Sequence, residues 1–263
     1  MGLIMRRNLM AAKSGYTAND YVKTGLVHMW DGIENVGYGS QNLSATVWKD
    51  LVGSTDLTLT DNGYFDSTSL VATGGERNDG LYNPAAIGPS LYSDLSKELS
   101  IEIVFKMTSR WGRSQGTIGP QFVFQFSRGG GTLDRVIGCL ASGTESYKNL
   151  ASCNVVNRLS AINFENYFFK KVNLSLSYLP NAAETTMMFV NTEVQNIIRV
   201  TGVNRNTNNA TSVGGLVNLS GEGYYSMSGN FYCIRVYEKS LTSSEIAANY
   251  DVDKARFGLS DAT

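Results

Sequence analysis

Apolar and polar residues alternate along four segments of the chain, with the two-residue period of a β-strand. Because successive strand side chains point to opposite faces, each segment is predicted to be a strand with one face on the core. Weaker candidates cover residues 26–30, 57–60, 135–141, 187–191 and 212–216, separated by Gly, Asn, Asp and Ser turns. Regularly spaced strands of this kind favour a sandwich or jelly roll of two antiparallel sheets. The apolar positions of the four strong segments are Ile101, Ile103, Phe105 and Met107; Phe122, Phe124 and Phe126; Val172, Leu174, Leu176 and Tyr178; and Tyr232, Ile234 and Val236.

One helix is predicted near the C-terminus. Thr242 and Glu245 have the spacing of a capping box, in which each side chain satisfies an unpaired backbone N–H of the first turn. Leu241 and Ile246 have the spacing of a hydrophobic staple. Gly258 can end the helix in a left-handed conformation. We therefore expect a capped surface helix that closes the β domain.

Composition agrees with an all-β protein and excludes some function classes. The chain of 263 residues has 27 Gly, 14 Tyr and 11 Phe but only 4 Pro, which is typical of many tight turns and strands. Hydrophobic residues make up 42%, enough for a large core, so disorder is not expected. The net charge of -1 gives no bulk positive field, so we expect no general nucleic-acid binder.

The cysteines predict neither a zinc site nor a complete disulfide framework. Cys139, Cys153 and Cys233 are odd in number and lack CxxC spacing. We interpret them as reduced, buried thiols.

The N-terminal residues predict an arm rather than part of the domain. Residues 1–20 show no consistent period, whereas residues 21–263 contain no linker or repeat and are interpreted as one domain. No signal peptide is visible, and no stretch approaches the roughly 20 apolar residues of a membrane span. The arm residues Arg6, Arg7, Leu9 and Met10 are the candidates for anchoring a partner.

Four segments resemble the concanavalin A-like lectin/glucanase superfamily, in its laminin-G-like (LamG) jelly-roll branch. Residues 25–35 (GLVHMWDGIEN) look like the first strand of that family, and residues 48–53 (WKDLVG) resemble its W-x-D-x-S-G turn. Residues 99–106 (LSIEIVFK) resemble a further strand, and residues 231–250 are very like the closing strand and helix. The usual Asp-Gly hairpin is replaced by Asn191 and Thr192.

The basic N-terminal segment, residues 6–13 (RRNLMAAK), is similar to the openings of LamG proteins from gut bacteria and their phages. The resemblance implies a lectin-like fold.

The superfamily includes glucanases, so hydrolytic chemistry has to be considered. Glycoside hydrolysis usually needs two carboxylates about 5 to 9 Å apart. The E-x-D-x-x-E motif of the hydrolases is absent, and the corresponding strand offers Glu102 alone, which we expect on the solvated outer face. His28 is the only histidine and is expected to be a packed, hydrogen-bonded residue. We therefore predict that the chain is not an enzyme and has no cofactor.

The resemblance also allows a structural calcium ion, because LamG domains often hold one at the sandwich rim. Asp31 and Asp50 are weak candidates for ligands, but no spacing here matches a calcium loop. Asp50 lies before Gly53 and is more simply read as a turn former. The sequence therefore does not decide whether the protein has a metal site.

Carbohydrate binding would use exposed aromatic rings beside polar groups, because a sugar stacks its apolar face on a ring while amides pair its hydroxyls. Trp111 is the best loop aromatic, and a packed rim residue is its alternative interpretation. The other candidates for glycan or partner contacts are Arg110, Arg113, Tyr147 and Tyr224.

The sequence is compatible with three functions. The first is a non-enzymatic virion or cell-surface protein with a lectin-like domain for adhesion to a glycan or host receptor, anchored through residues 1–20 to other virion or surface proteins in an oligomeric assembly. The second is a purely structural capsid or tail decoration protein without a ligand. The third is a divergent glycoside hydrolase. The expected location is a phage particle surface or the extracellular space.

Overall fold

The fold is an antiparallel β-sandwich with one C-terminal helix. In the computed structural model the described residues form two eight-stranded sheets, two two-stranded sheets and α1 (Ser243–Phe257). This confirms the predicted all-β sandwich. The structure describes residues 15–59, 63–73, 81–83, 97–108, 112–114, 117–119, 121–125, 137–139, 149–151, 162–163, 167, 169–179, 185–199, 211–213, 216–217, 223–224 and 228–260.

The front sheet joins distant parts of the chain. The four strongly predicted segments are all strands, three of them in this sheet and the fourth in the back sheet. The spatial order of the front sheet is β16 (Glu193–Arg199), β15 (Thr185–Val190), β14 (Lys171–Leu179), β7 (Leu99–Met107), β20 (Ser228–Tyr237), β5 (Leu70–Thr73) and β4 (Tyr64–Phe65), with β1 (Leu26–Asp31) also paired to β20.

The back sheet and two small hairpins make up the other layer. Its order is β13 (Ile162–Asn163), β12 (Asn149–Ala151), β11 (Ile137–Cys139), β10 (Gln121–Gln125), β17 (Thr211–Val213), β6 (Leu81–Asn83), β3 (Leu57–Leu59) and β2 (Val47–Trp48). The small pairs are β8 (Gly112–Ser114) with β9 (Thr117–Gly119), and β18 (Leu216–Val217) with β19 (Gly223–Tyr224).

Two hydrophobic clusters lie on opposite faces of the front sheet. The inner cluster packs front-sheet residues such as Ile103 and Phe105 against Trp48 and Leu57 of the back sheet. The outer cluster packs Val104 on the other face of β7 against Ile246 and other residues of α1. The prediction that β7 has only one buried face is therefore wrong, because the helix covers its second face.

A β-bulge changes the pattern predicted for β20. Phe231 pairs with Phe105 and Cys233 with Val104, so Tyr232 is the extra residue. Such an insertion leaves two consecutive residues on one face. Tyr232 and Cys233 accordingly both belong to the outer cluster, while Ile234 belongs to the inner one. The predicted grouping of Tyr232 with Ile234 is wrong for this reason.

The end signals of α1 are confirmed. Thr242 and Glu245 form the capping box, and Gly258 adopts φ 66 and ψ 49 while its N–H donates to the carbonyl of Lys254. Leu241 and Ile246 are both buried in the outer cluster. No helix among the described residues has the length and apolarity needed to cross a bilayer.

The hairpin between β15 and β16 turns without the usual glycine. Asn191 and Thr192 have φ of 49 and 75, which is the left-handed region required by the tight turns that match strand twist. The Asn191 side chain accepts a hydrogen bond from the backbone N–H of Asn173 at 2.9 Å, and this contact holds the turn against β14.

Candidate functional site

A layer of buried charged side chains lies between the front sheet and α1. Arg235 on β20 donates from Nε to Glu102 Oε2 at 3.0 Å, and its two Nη atoms donate to the two oxygens of Asp253 at 2.7 Å each. All three side chains are fully buried. The expectation that Glu102 lies on a solvated face is wrong, because α1 and its polar side chains cover that face of β7.

Neutral polar groups complete this network. Asn249 donates to Glu102 at 2.6 Å, Asn173 donates to Asp253 at 2.7 Å, and the Tyr21 hydroxyl donates to Asp253 at 2.8 Å. Burial raises the pKa of the Glu102 carboxyl, and the charge of the nearby arginine opposes the rise. Hydrogen bonds to every member are what allow charged groups to be buried at tolerable cost.

A second buried arginine ties the first strand to the helix. Arg256 binds Asp31 through both Nη atoms, at 2.5 and 3.0 Å, and also donates to Glu34 at 3.1 Å. Glu34 in turn accepts from the backbone N–H of Ala18 at 2.8 Å. The Tyr21 ring lies 4.0 Å from the Arg235 guanidinium and 5.5 Å from that of Arg256. Residues 15–25 and α1 therefore form one cover over the front sheet.

This network has the residue types of a hydrolytic site but not the access. A glycosidase needs its carboxylate pair beside an open cleft that admits the sugar and a water molecule. Glu102 and Asp253 share one guanidinium and are sealed from solvent. Among the described residues, these two carboxylates consequently hold the helix on the sheet and are closed to substrate.

The histidine lies on β1 and is partly buried. His28 Nδ1 is 2.6 Å from Asp50 Oδ2, and its ring stacks on Trp30 with centroids 5.6 Å apart. The interpretation of His28 as a packed, hydrogen-bonded residue is confirmed. Asp50 is largely buried, which raises its pKa, but bonds from His28 and from the N–H groups of Gly53 and Met29 outweigh this effect and lower the pKa below its usual value.

The two aspartates considered for calcium already have full sets of donors. Asp50 accepts from His28 and from four backbone N–H groups, including that of Gly53, which confirms its role in the turn. Asp31 accepts from Arg256 and from the N–H groups of Ile33 and Glu34. A cation at either carboxylate would displace these donors. No group of three or more metal-binding side chains occurs among the described residues.

Two of the residues predicted to contact a glycan lie on neighbouring elements. Arg113 is in β8 and Tyr224 is in β19, and these two strands contact each other. Strand β8 also contacts β10, and β18 contacts both β10 and β17, so the two hairpins lie on the back-sheet side of the sandwich. The candidates outside the described residues are Trp111, Arg110, Tyr147, Arg6, Arg7, Leu9 and Met10.

The pattern of the sequence did not identify the buried network. A buried network could have been suspected from α1, where Asn249, Asp253 and Arg256 follow at helical spacing on the same side as Ile246 and other buried residues. Arg235 gave a similar signal, since it lies in an otherwise apolar strand. The thiol of Cys233 lies in this layer as well and is buried, as expected.

Comparisons with known proteins show similarity in fold but not in sequence family. No family model and no curated protein matches the chain. A mutant of Trypanosoma rangeli sialidase displaying trans-sialidase activity has a TM-score of 0.61 and 14% identity, covering 90% of this chain and 34% of its own. The sialidase in complex with sialic acid has a TM-score of 0.59 and 16% identity, with 88% and 33% covered. The receptor binding domain of botulinum neurotoxin D has a TM-score of 0.57 and 11% identity, with 86% and 52% covered.

These similarities bear on the predicted absence of enzyme activity and on the predicted fold. The chain spans about a third of the length of the sialidases and about half of the neurotoxin domain. The prediction that the chain is not an enzyme is contradicted, because sialidases, which are enzymes, share its fold at TM-scores of 0.59 and 0.61. Identities of 11 to 16% establish the fold alone, as a β-sandwich of the jelly-roll kind.

Proposed function

We propose that the chain is a glycan-binding β-sandwich domain of the concanavalin A-like, LamG type. The observation that carries the proposal is the placement of Arg113 and Tyr224 on adjacent hairpins at the back sheet, with Trp111 directly before β8 in the sequence. A tryptophan ring, a guanidinium and a phenol are together a suitable set of groups for a sugar, which needs both stacking and hydrogen bonds.

The outer face of the front sheet is sealed at its middle, which supports a binding site on the back-sheet side. The helix and residues 15–25 bury the outer face of β7, β14 and β20 at the charged layer, which excludes a ligand there. The sialidase structure with sialic acid and the neurotoxin receptor binding domain provide further support, because both contain this fold. Their ligands belong to those proteins; for this chain a carbohydrate ligand is the proposal.

The same proposal includes an anchoring arm. The predicted arm of residues 1–20, through Arg6, Arg7, Leu9 and Met10, attaches the domain to other subunits of a virion or extracellular surface. Residues 15–20 of that arm pack into the cover over the front sheet and join it to the domain. Tyr21 is fixed against α1 on the front-sheet side, whereas β8 and β19 lie on the back-sheet side. Attachment from one side and ligand contact on the other would suit an adhesion module.

A glycan array tests the ligand proposal. We expect saturable binding that is lost in Trp111→Ala and weakened in Arg113→Gln, but kept in Tyr38→Ala, which removes an exposed ring from the loop after β1. Reaction products released from the bound glycan would identify a hydrolase. Absence of binding to every array glycan, or equal losses in the Trp111 and Tyr38 variants, would contradict the proposal and favour the purely structural alternative.

A further inference from the structure

The outer face of the front sheet has one end that α1 does not cover. Register places five residues directly opposite one another across five neighbouring strands. With strands about 4.8 Å apart, this cross-strand row is about 19 Å long. In spatial order it consists of Lys171 on β14, Lys106 on β7, Asn230 on β20, Val71 on β5 and Tyr64 on β4.

The face of these residues follows from their neighbours. Phe105, Phe231 and Leu70, adjacent to the row on three of these strands, all belong to the inner cluster. Strand side chains alternate, so the row itself points away from the core. Tyr64 is 53% exposed, which leaves much of its ring available for contact.

Two lysines of the row oppose each other on the adjacent strands β7 and β14. Lys106 and Lys171 are direct cross-strand partners, an arrangement that costs stability in an antiparallel sheet. Among the described residues at this end, Asp66 is acidic: its Oδ1 accepts four hydrogen bonds from Thr68 and Ser69, and its Oδ2 accepts one from Asn230 at 3.5 Å.

Hydroxyl groups continue the surface toward the end of the sheet. Ser228 is the partner of Thr73, and the N–H of Thr108 donates to the carbonyl of Ser228 at 2.9 Å. Thr73 and Thr108 are exposed. The open end thus presents an aromatic ring, hydroxyls and a pair of cations on one side of a sheet.

The helix end fixes one of the cations. Lys171 Nζ donates to the carbonyl of Phe257 at 2.6 Å and lies 5.0 Å from the centre of the Tyr232 ring. Burial, and next the charge of Lys106, lowers the pKa of Lys171, whereas the negative charge of Asp66 opposes this shift. Lys106 is therefore the member of the pair whose ammonium group a ligand can engage without releasing the helix end.

We propose that the row formed by Tyr64, Val71, Asn230, Lys106 and Lys171, here named the open platform, binds an acidic polysaccharide. A sugar ring would stack on Tyr64, and a carboxylate or sulfate group would pair with the ammonium group of Lys106. This binding surface is separate from the glycan contacts proposed at β8 and β19, because it lies on the other sheet.

Affinity electrophoresis of the full chain tests the platform. Native gels would contain dextran sulfate, polygalacturonate or uncharged dextran. We expect retardation by at least one of the two acidic polymers and none by dextran. Lys106→Glu and Tyr64→Ala should each weaken the binding at least tenfold, and Lys106→Arg should retain it. The matched control is Lys97→Glu, which makes the same charge change at an exposed site near the other end of β7.

The outcomes separate this proposal from the glycan-array proposal. Trp111→Ala should leave retardation by the acidic polymer unchanged even if it abolishes binding to the array. Absence of retardation by both acidic polymers would overturn the platform proposal. Equal weakening in Lys97→Glu and Lys106→Glu, or retardation by single-stranded DNA as strong as by the polysaccharide, would also overturn it, because either result indicates non-specific charge attraction.

Discussion

The outer face of the front sheet contains two regions with opposite arrangements of charged side chains: in one, opposite charges are paired and buried, and in the other, like charges face each other. In the covered region, the fully buried Arg235 binds both Glu102 on β7 and Asp253 on α1, and these two carboxylates are fully buried as well. In the open platform, Lys106 and Lys171 face each other across two strands. Both regions occupy the same face of the same sheet, so the strand sequence alone does not explain the difference.

Glu102 and Lys106 make the comparison most directly, because they lie four residues apart on one face of β7. Glu102 is sealed by the helix and held by Arg235 and Asn249. Lys106 lies beyond the helix end and is only partly buried. Whether a charged strand residue stabilises the fold or remains available for a ligand therefore depends on whether residues 15–25 and α1 cover it.

The largest expected effect comes from removing the central cation of the covered region. Arg235→Met would leave Glu102 and Asp253 as buried carboxylates without their shared partner. Breaking a buried pair in this way costs about 3–5 kcal/mol of unfolding free energy. Urea denaturation would measure the loss. The control Lys97→Met, at an exposed position, should change stability by less than about 0.5 kcal/mol. A similarly small loss in Arg235→Met would show that the covered region is not sealed.

The next effect tests whether residues 15–25 are part of the cover. Tyr21→Phe keeps the ring over the two arginines but removes the hydroxyl that donates to Asp253. A hydrogen bond to a charged, buried group contributes about 1.5–3 kcal/mol, so a loss in that range is expected in urea denaturation. Tyr16→Phe, at an exposed ring, provides the matched control. Equal midpoints for the two variants would contradict a stabilising role for the Tyr21 contact.

The local parts of this architecture could be predicted from the sequence. The capping box at Thr242, the glycine at 258 and the strong strands depend on neighbouring residues, and their signals lie within a few positions. The cover could not be predicted in this way. Glu102 and Arg235 are 133 positions apart, and the bulge at Tyr232 shifts the faces of β20 without a distinct sequence signal.

The candidate sites show the same limit. Arg113 and Tyr224 were predicted only as separate contact residues, and it is the packing of β8 against β19 that brings their strands together. The open platform was not identified, because its members come from five strands and none of them forms a motif. Register places Tyr64 and Lys106 in one row, three strands apart, and a single sequence does not specify register across non-consecutive strands.

The smallest effect has the opposite sign and concerns the open platform. Lys106→Met removes one of two cations that face each other across β7 and β14, and Lys171 keeps its bond to the helix end. Relief of a direct like-charge pair should raise the unfolding free energy by about 0.2–1 kcal/mol, whereas loss of Arg235 lowers it. Low-salt urea denaturation would detect the gain, and Lys106→Arg, which keeps the charge, should not show it. A loss of stability in Lys106→Met would mean that Lys106 is a structural residue like those beneath the helix. A gain together with weaker polysaccharide binding would mean that the platform keeps a destabilising charge pair for its ligand.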